Sequence, residues 1–355
     1  MRPSSLKNIE RLLTSVSLAL LIVASVFGHA LTPELKVGIL NRDAAVYNAA
    51  SGKVYLIDAD HNAVNVITSA NAATSVRVGS GPVSIGVNNQ TGMVYVVNSS
   101  EHSVSVVDGK TDAVVATVPT PARSYAVAVD EVNNKVYVAN IFTNLFTIID
   151  GVTNTATNVP AGSADAIVVD NGRKRVYLLH YETDNIVEFD PATGAIAKFP
   201  AGAMHEWGIL RSGKTLYVTH VQDSNIAAID LDTHAIRTLP TGYMPCAIAI
   251  NSKTGQLYVA NYGDGSVTIF DKDAVTATVK VSPHPQALAL DSDKGLLYVA
   301  SPQENSVSVI DIKARRIRNT IKSAEHPYAI VVNPTTHVAY SANLADPAFT
   351  TLGTH

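Results

Sequence analysis

Two histidines, His180 and His220, close the hydrophobic runs "VYLLH" and "LYVTH", and between them stands "MHEWG" with His205 and Glu206. Imidazole and carboxylate together make ligands for zinc, iron or copper, and a His beside a Glu can also move protons. With Asp165 the set open to such chemistry is His180, His205, His220, Glu206 and Asp165. No HExxH or His-x-His spacing occurs, so a site of this kind has to be assembled from separate elements. A plainer role stands beside it. The run-ending position of His180 and His220 is Asn in four other copies, where its amide is expected to bond the following loop, and His can do the same. His284 in "SPHPQ" and His326 in "AEHPY" precede proline, a good setting for a turn residue.

These runs belong to a repeat. "VYLID", "VYVVN", "VYVAN", "VYLLH", "LYVTH", "LYVAN", "LYVAS" and "AYSAN" recur with a period of about 40 residues, the range of propeller blades. Each follows a short Ala-rich segment such as "AVAVD" or "AIAIN" and precedes a third run such as "VSVVD" and a more polar fourth such as "VVATVP". Gly, Asn, Asp and Pro clusters separate the runs, and no long helical pattern intervenes. Four short strands fit one radial antiparallel blade. Ala-rich first strands suit a crowded central axis, and unbroken Val, Ile and Leu runs suit middle strands packed on both faces. Eight first strands predict an all-β, eight-bladed propeller; seven blades plus a stray hairpin is the alternative. "ELKVGIL" (34–40) aligns with the outer strands, so the closing blade is expected to join one N-terminal strand to three C-terminal ones.

The same alignment places one residue per blade at the start of the first strand, facing the channel mouth. The series runs Asp43, Val83, Tyr125, Asp165, Glu206, Cys246, Gln286 and Tyr328, amid neighbours that are nearly all Ala, Val, Ile or Leu. Asp43, Tyr125, Asp165, Glu206, Gln286 and Tyr328 are therefore candidates for holding a cation or a polar ligand. A wetted rim, where polar residues cost nothing, would give the same pattern. "DSDKG" at Asp291–Gly295 faintly resembles a calcium loop without its distal Glu and falls where a hairpin turn is required. Cys246 has no His placed beside it and reads as an inert small residue.

Taken together, the "VYVAN…VSVID…VVATV" units resemble the YVTN-type β-propeller repeats of exported bacterial and archaeal proteins and surface-layer proteins. The resemblance covers essentially residues 31–355. It implies the propeller fold and a binding or surface role, and no single activity. Eight-bladed propellers of similar outline hold non-covalent haem in periplasmic nitrite reductases, and propeller lyases and lactonases use a channel-mouth His, Glu or metal. The likeness to those is architectural, so none of their residues is carried over.

Composition bounds the rest. Arg2, Lys7 and Arg11 precede the apolar "LLTSVSLALLIVASVFG", and Gly28–Ala30 offers small residues for cleavage, the pattern of a secretory signal peptide over residues 1–30. The product is expected in a periplasm or outside the cell, as one domain over 31–355. The formal charge of −4 and the lack of a basic stripe argue against nucleic acid. One cysteine excludes an internal disulfide. No GxGxxG, Walker loop, GxSxG or CxxCH is present. The expectation is a monomeric binding or scaffold module for a protein or small polar ligand. The alternative is a metal- or haem-dependent enzyme or carrier built on the His and carboxylate residues, though no cofactor is firmly implied.

Overall fold

In the computed structural model, residues 43–180, 183–203, 206–344 and 348–353 are described. Their strands form eight separate antiparallel sheets: seven have four strands in simple sequential order, and the last has three, Pro327–Val332, Ala339–Asn343 and Phe349–Gly353. Each first strand lies against the first strand of the next blade, and that of blade eight lies against that of blade one. The ring therefore closes with eight blades, and the seven-blade alternative is set aside. The three C-terminal strands of the closing blade are as expected; its N-terminal strand at 34–40, like the signal sequence at 1–30, lies outside the described residues. No helix among the described residues is long and apolar enough to cross a membrane.

The repeated residues have distinct structural duties. In four blades the Asp at the end of the third strand folds its carboxylate over the next turn. Asp108 accepts from Lys110 N, Asp150 from Val152 N, Asp190 from Ala192 N and Asp230 from Asp232 N, all at 2.8–3.0 Å. These are Asx turns, in which the side chain fixes the hairpin. The Asn or Asp ending most first strands does the same: Asn48, Asn88, Asn251 and Asn333 each accept from the second and third residues beyond. Asp291 belongs to this set, accepting from Asp293 N and Lys294 N, so "DSDKG" is a hairpin turn.

Packing runs between blades. The middle-strand tyrosines Tyr55, Tyr95, Tyr137, Tyr177, Tyr258 and Tyr298 are fully buried. Tyr55 shows the direction, its hydroxyl lying 2.9 Å from Asp112 in the next blade. Clusters such as Tyr137, Phe146, Val176, Leu178 and Phe189 join blades three and four into one core. Burying such side chains stabilises by about 1.5–3 kcal/mol each. The joint between blades eight and one carries a buried hydrogen bond, Tyr328 Oη donating to Ile57 O at 2.9 Å.

Candidate functional site

First strands enter the ring through an irregularity that the repeat alone does not disclose. In blade three Ser124 pairs with Asn140 and Ala126 with Ala139, leaving Tyr125 as an extra residue. Val83, Cys246 and Tyr328 are the same extra residue in their blades. In blades four and seven the amides of Asp165 and Gln286 bond Leu179 O and Ala300 O, the partners of the residues that follow them. The rim position is thus a β-bulge, a device that re-aims a side chain.

Bulging decides where the rim candidates go. Tyr328 is 1% exposed and locked to Ile57, so it seals blades eight and one and does not face the channel. Cys246 is buried with Sγ 3.1 Å from Pro285 O of the next blade, in keeping with an inert role. Tyr125 packs half-buried against the core shared with blade four. Gln286 is half-buried, and its Oε1 has no hydrogen-bond partner among the described residues. Asp43 is exposed and stands on the wall of a central cavity of about 420 Å³. All eight first strands contribute to that wall, including Ile85, Val127, Val168, Ile209 and Ile330.

Blade five departs by one residue. Glu206 pairs with His220, as Ser124 pairs with Asn140 and Pro245 with Asn261, and Gly208 N donates to Thr219 Oγ1. The bulge residue of this blade is therefore Trp207. Glu206 occupies the preceding position, which is Pro82, Ser124, Pro245 and Pro327 elsewhere. A carboxylate stands where other blades bury a proline or a hydroxyl. It is 1% exposed, and no other residue among the described ones hydrogen-bonds either oxygen. Burial pushes its pKa up to about 8, against a hydrogen bond from its own backbone amide that lowers it and with the negative charges of Asp184 and Asp165 adding to the rise. The usual cost of an unsatisfied buried polar group is about 1–3 kcal/mol.

The neighbouring histidines divide. His220 Nδ1 lies 2.9 Å from Asn225 Oδ1, five residues on, and Nε2 lies 3.3 Å from Ala201 O. That is the loop-bonding duty of the repeat's Asn: Asn261 donates to Ser266 at 3.0 Å, and the Asn98 amide bonds Ser103 at the same distance. His180, at the equivalent position in blade four, is 9% exposed and its Nε2 has no partner among the described residues. Burial, helped by the charge of Lys198, lowers its pKa to about 4, so the ring is neutral near pH 7. Gly162, at φ +99°, leaves the room it needs: a Cβ there would sit 2.6 Å from His180 Cε1. Asp184, which the sequence reading passed over, accepts from Gly202 N at 2.7 Å and so ties the loop after His180 to the loop before Glu206. Nothing in its loop marked it out, since its effect is on a neighbour from another turn.

The sector where blades four and five meet thus gathers His180, His220, Asp165, Asp184 and Glu206; His205 lies outside the described residues. Among the described residues no three His, Cys, Asp or Glu side chains are grouped closely enough to hold a metal ion. His284 and His326, at φ 54° and 51°, are left-handed turn residues before proline, as expected.

No protein-family model and no curated protein sequence matches the chain. Solved structures do. A Kuenenia stuttgartiensis hydrazine synthase chain is 15% identical, covering 91% of this chain and 97% of that one, with a TM-score of 0.59. The dihydro-haem d1 dehydrogenase NirN, in complex with DHE, is 14% identical over 85% of this chain and 70% of that one, with a TM-score of 0.71. A streptogramin B lyase is 13% identical over 72% and 92%, with a TM-score of 0.59. At such identities the likeness establishes the propeller fold and leaves activity to the residues.

Proposed function

We propose that this chain is an exported binding module of the YVTN-repeat type, which takes a small polar ligand at the face where its first strands begin. The sector between blades four and five supplies the polar contacts. One observation carries the reading: Glu206 is buried with no other residue among the described ones bonded to its oxygens, at a position that other blades fill with proline or serine. A fold that repeats one solution around a ring has no structural need for that exception. Such a group is explained by a partner that arrives on binding. The basic and apolar N-terminal sequence supports export.

The test is a thermal-shift screen of the purified protein against neutral, anionic and cationic small polar molecules, repeated with Glu206→Gln. A ligand at a hundred times its Kd adds about 2.7 kcal/mol to stability, an easily read rise in Tm. Support is a stabiliser whose effect is lost in the variant. Failure of every class to shift the wild type, or equal shifts in both proteins, counts against it.

A second reading, metal- or haem-dependent chemistry, has one observation in its favour. The neutral Nε2 of His180, without a partner among the described residues, is the form of imidazole that ligates. Metal analysis and an absorption spectrum of the protein purified without chelator or His-tag separate the two.

A further inference from the structure

Blades one to seven each end in an outer strand, and one of these differs in charge. The first six, Ala73–Arg77, Ala113–Pro119, Thr155–Pro160, Ile196–Pro200, Ile236–Pro240 and Ala274–Lys280, carry at most one basic residue each. The outer strand of blade seven, Arg316–Lys322, carries Arg316, Arg318 and Lys322, and the turn before it adds Lys313 and Arg315. All five are exposed, and residues 313–322 hold no carboxylate. A basic run thus stands on a chain whose formal charge is −4, and the lack of a basic stripe read from the composition does not hold at this edge.

Pairing also sets these cations apart. Lys53, Lys135, Arg173, Arg175, Lys214 and Lys253 are each ion-paired to a carboxylate. None of the five on blade seven has an ion pair among the described residues. Asp311, in register opposite Arg316, accepts instead from Ala314 N at 2.8 Å. Arg315 Nη1 donates to Thr276 O at 3.2 Å and so reaches the outer strand of blade six, where Lys280 is exposed as well. Val309 pairs with Asn319 and Ile310 with Ile317, which leaves Arg318 as the extra residue of a bulge, a device that re-aims a side chain. The strand pairs on one side only, so unpaired backbone N–H groups lie beside the cations. Charged residues do protect exposed edges from aggregation. Six sister edges manage with one cation or none, so protection does not explain this one.

We propose that the outer edge of blade seven docks an acidic polysaccharide, its carboxylate or sulfate groups laid along Arg315, Arg316, Arg318 and Lys322. Short runs this rich in Lys and Arg form patches for polyanions, and a planar guanidinium can meet two oxygens of one anionic group at once. At about 3.3 Å per residue the strand is roughly 20 Å long, room for a few sugar units. Nucleic acid and membrane fit less well. Residues 313–322 contain no aromatic side chain to stack on a base or to sink into a lipid headgroup layer. The choice of glycan over nucleic acid rests in part on the export proposed above; the polyanion site itself does not. The thermal-shift screen with Glu206→Gln tests the loop face separately, so either proposal can fail alone.

The experiment is isothermal titration of the purified protein at low salt with heparin oligosaccharides and polygalacturonate, set against uncharged dextran, a DNA duplex and phosphatidylglycerol vesicles. Saturable binding of the acidic glycans, weakened by added salt and absent with dextran, is the expected result. The triple variant Arg315→Ser, Arg316→Ser, Arg318→Ser should weaken it at least tenfold. A control that removes three exposed cations elsewhere, Arg77→Ser, Lys110→Ser, Lys174→Ser, leaves the same net charge and should weaken it less than threefold. Circular dichroism confirms the fold, and Arg316→Ser alone, at an exposed position, serves if the triple variant fails to fold. Equal losses in the patch and control variants, DNA or vesicles bound at least as tightly as the glycans, or no saturable glycan binding overturns the proposal.

Discussion

Blades four and five carry the same residue type at the same place and use it in opposite ways. His220 takes over the duty of the repeat's Asn, spanning to Asn225 across its loop, whereas His180 leaves Nε2 buried and unbonded among the described residues. The residues around them differ accordingly. Blade five puts Glu206 opposite His220, and blade four places Gly162 against the His180 ring. The comparison teaches that substitution in a repeat is not evidence of function by itself. What separates a replaced cap from a candidate ligand-binding group is whether its hydrogen bonds are met.

The largest test of this contrast lies in Glu206. Its carboxyl titrates near pH 8 in the folded protein and near 4.5 in an unfolded chain. Between those values the unfolded chain has lost the proton that the folded protein keeps, so stability falls as pH rises through that window. The loss is roughly 3–4 kcal/mol by pH 8. Glu206→Gln should remove that slope, matching wild type near pH 4.5 and exceeding it by roughly 3 kcal/mol at pH 8. Urea melts at four pH values measure it. A wild-type curve flat from pH 5 to 8 would show that the carboxylate is solvated or paired after all.

His180 should act on the other flank, and less strongly. Burial holds its pKa near 4, against 6.5 when exposed. As pH falls below 6.5 the unfolded chain takes up a proton that the folded protein resists, so this stability is present above 6.5 and lost down to about 4. His180→Asn should flatten that acid limb by roughly 2–3 kcal/mol. The same melts at pH 4 to 7 decide it, and an unchanged acid limb would mean that the ring finds a partner.

How far the sequence foretold this division can be read from the same residues. The blade count, the strand order and the loop-bonding Asn at the end of the second strand follow from the repeat, because each shows in short, regular spacing. The alignment also brought His180, His220, Asp165 and Glu206 to one sector. It missed the bulge. A bulge adds one residue to one strand without altering the hydrophobic run on its partner, so alignment set Glu206 level with Tyr125 and Tyr328 when the register makes Trp207 their equivalent. It also placed Tyr328 on the rim, where the bulge instead turns it into the seam with blade one. Whether a buried oxygen finds a partner depends on loops from other blades, and no single stretch of chain records that.

The glycines sharpen the contrast at smaller cost. Gly162 and Gly202 both have positive φ, at +99° and +103°, but a Cβ at 162 would strike His180 Cε1 at 2.6 Å, whereas at 202 the nearest atoms stand at 3.3–3.4 Å. Both alanine variants suffer the backbone penalty, about 1 kcal/mol or more, and Gly162→Ala should lose about 1 kcal/mol beyond Gly202→Ala from the clash. Combining it with His180→Asn should recover that increment, because the ring is then gone; a strictly additive double variant would mean the two do not touch. The smallest effect is expected at His220→Asn. Asn bonds the residue five places on in blades two and six, and Asn225 can meet it with either end of its amide. The change should therefore stay within about 1 kcal/mol and leave ligand binding intact. If His220→Asn abolished binding while His180→Asn did not, the roles assigned to the two histidines would have to be exchanged.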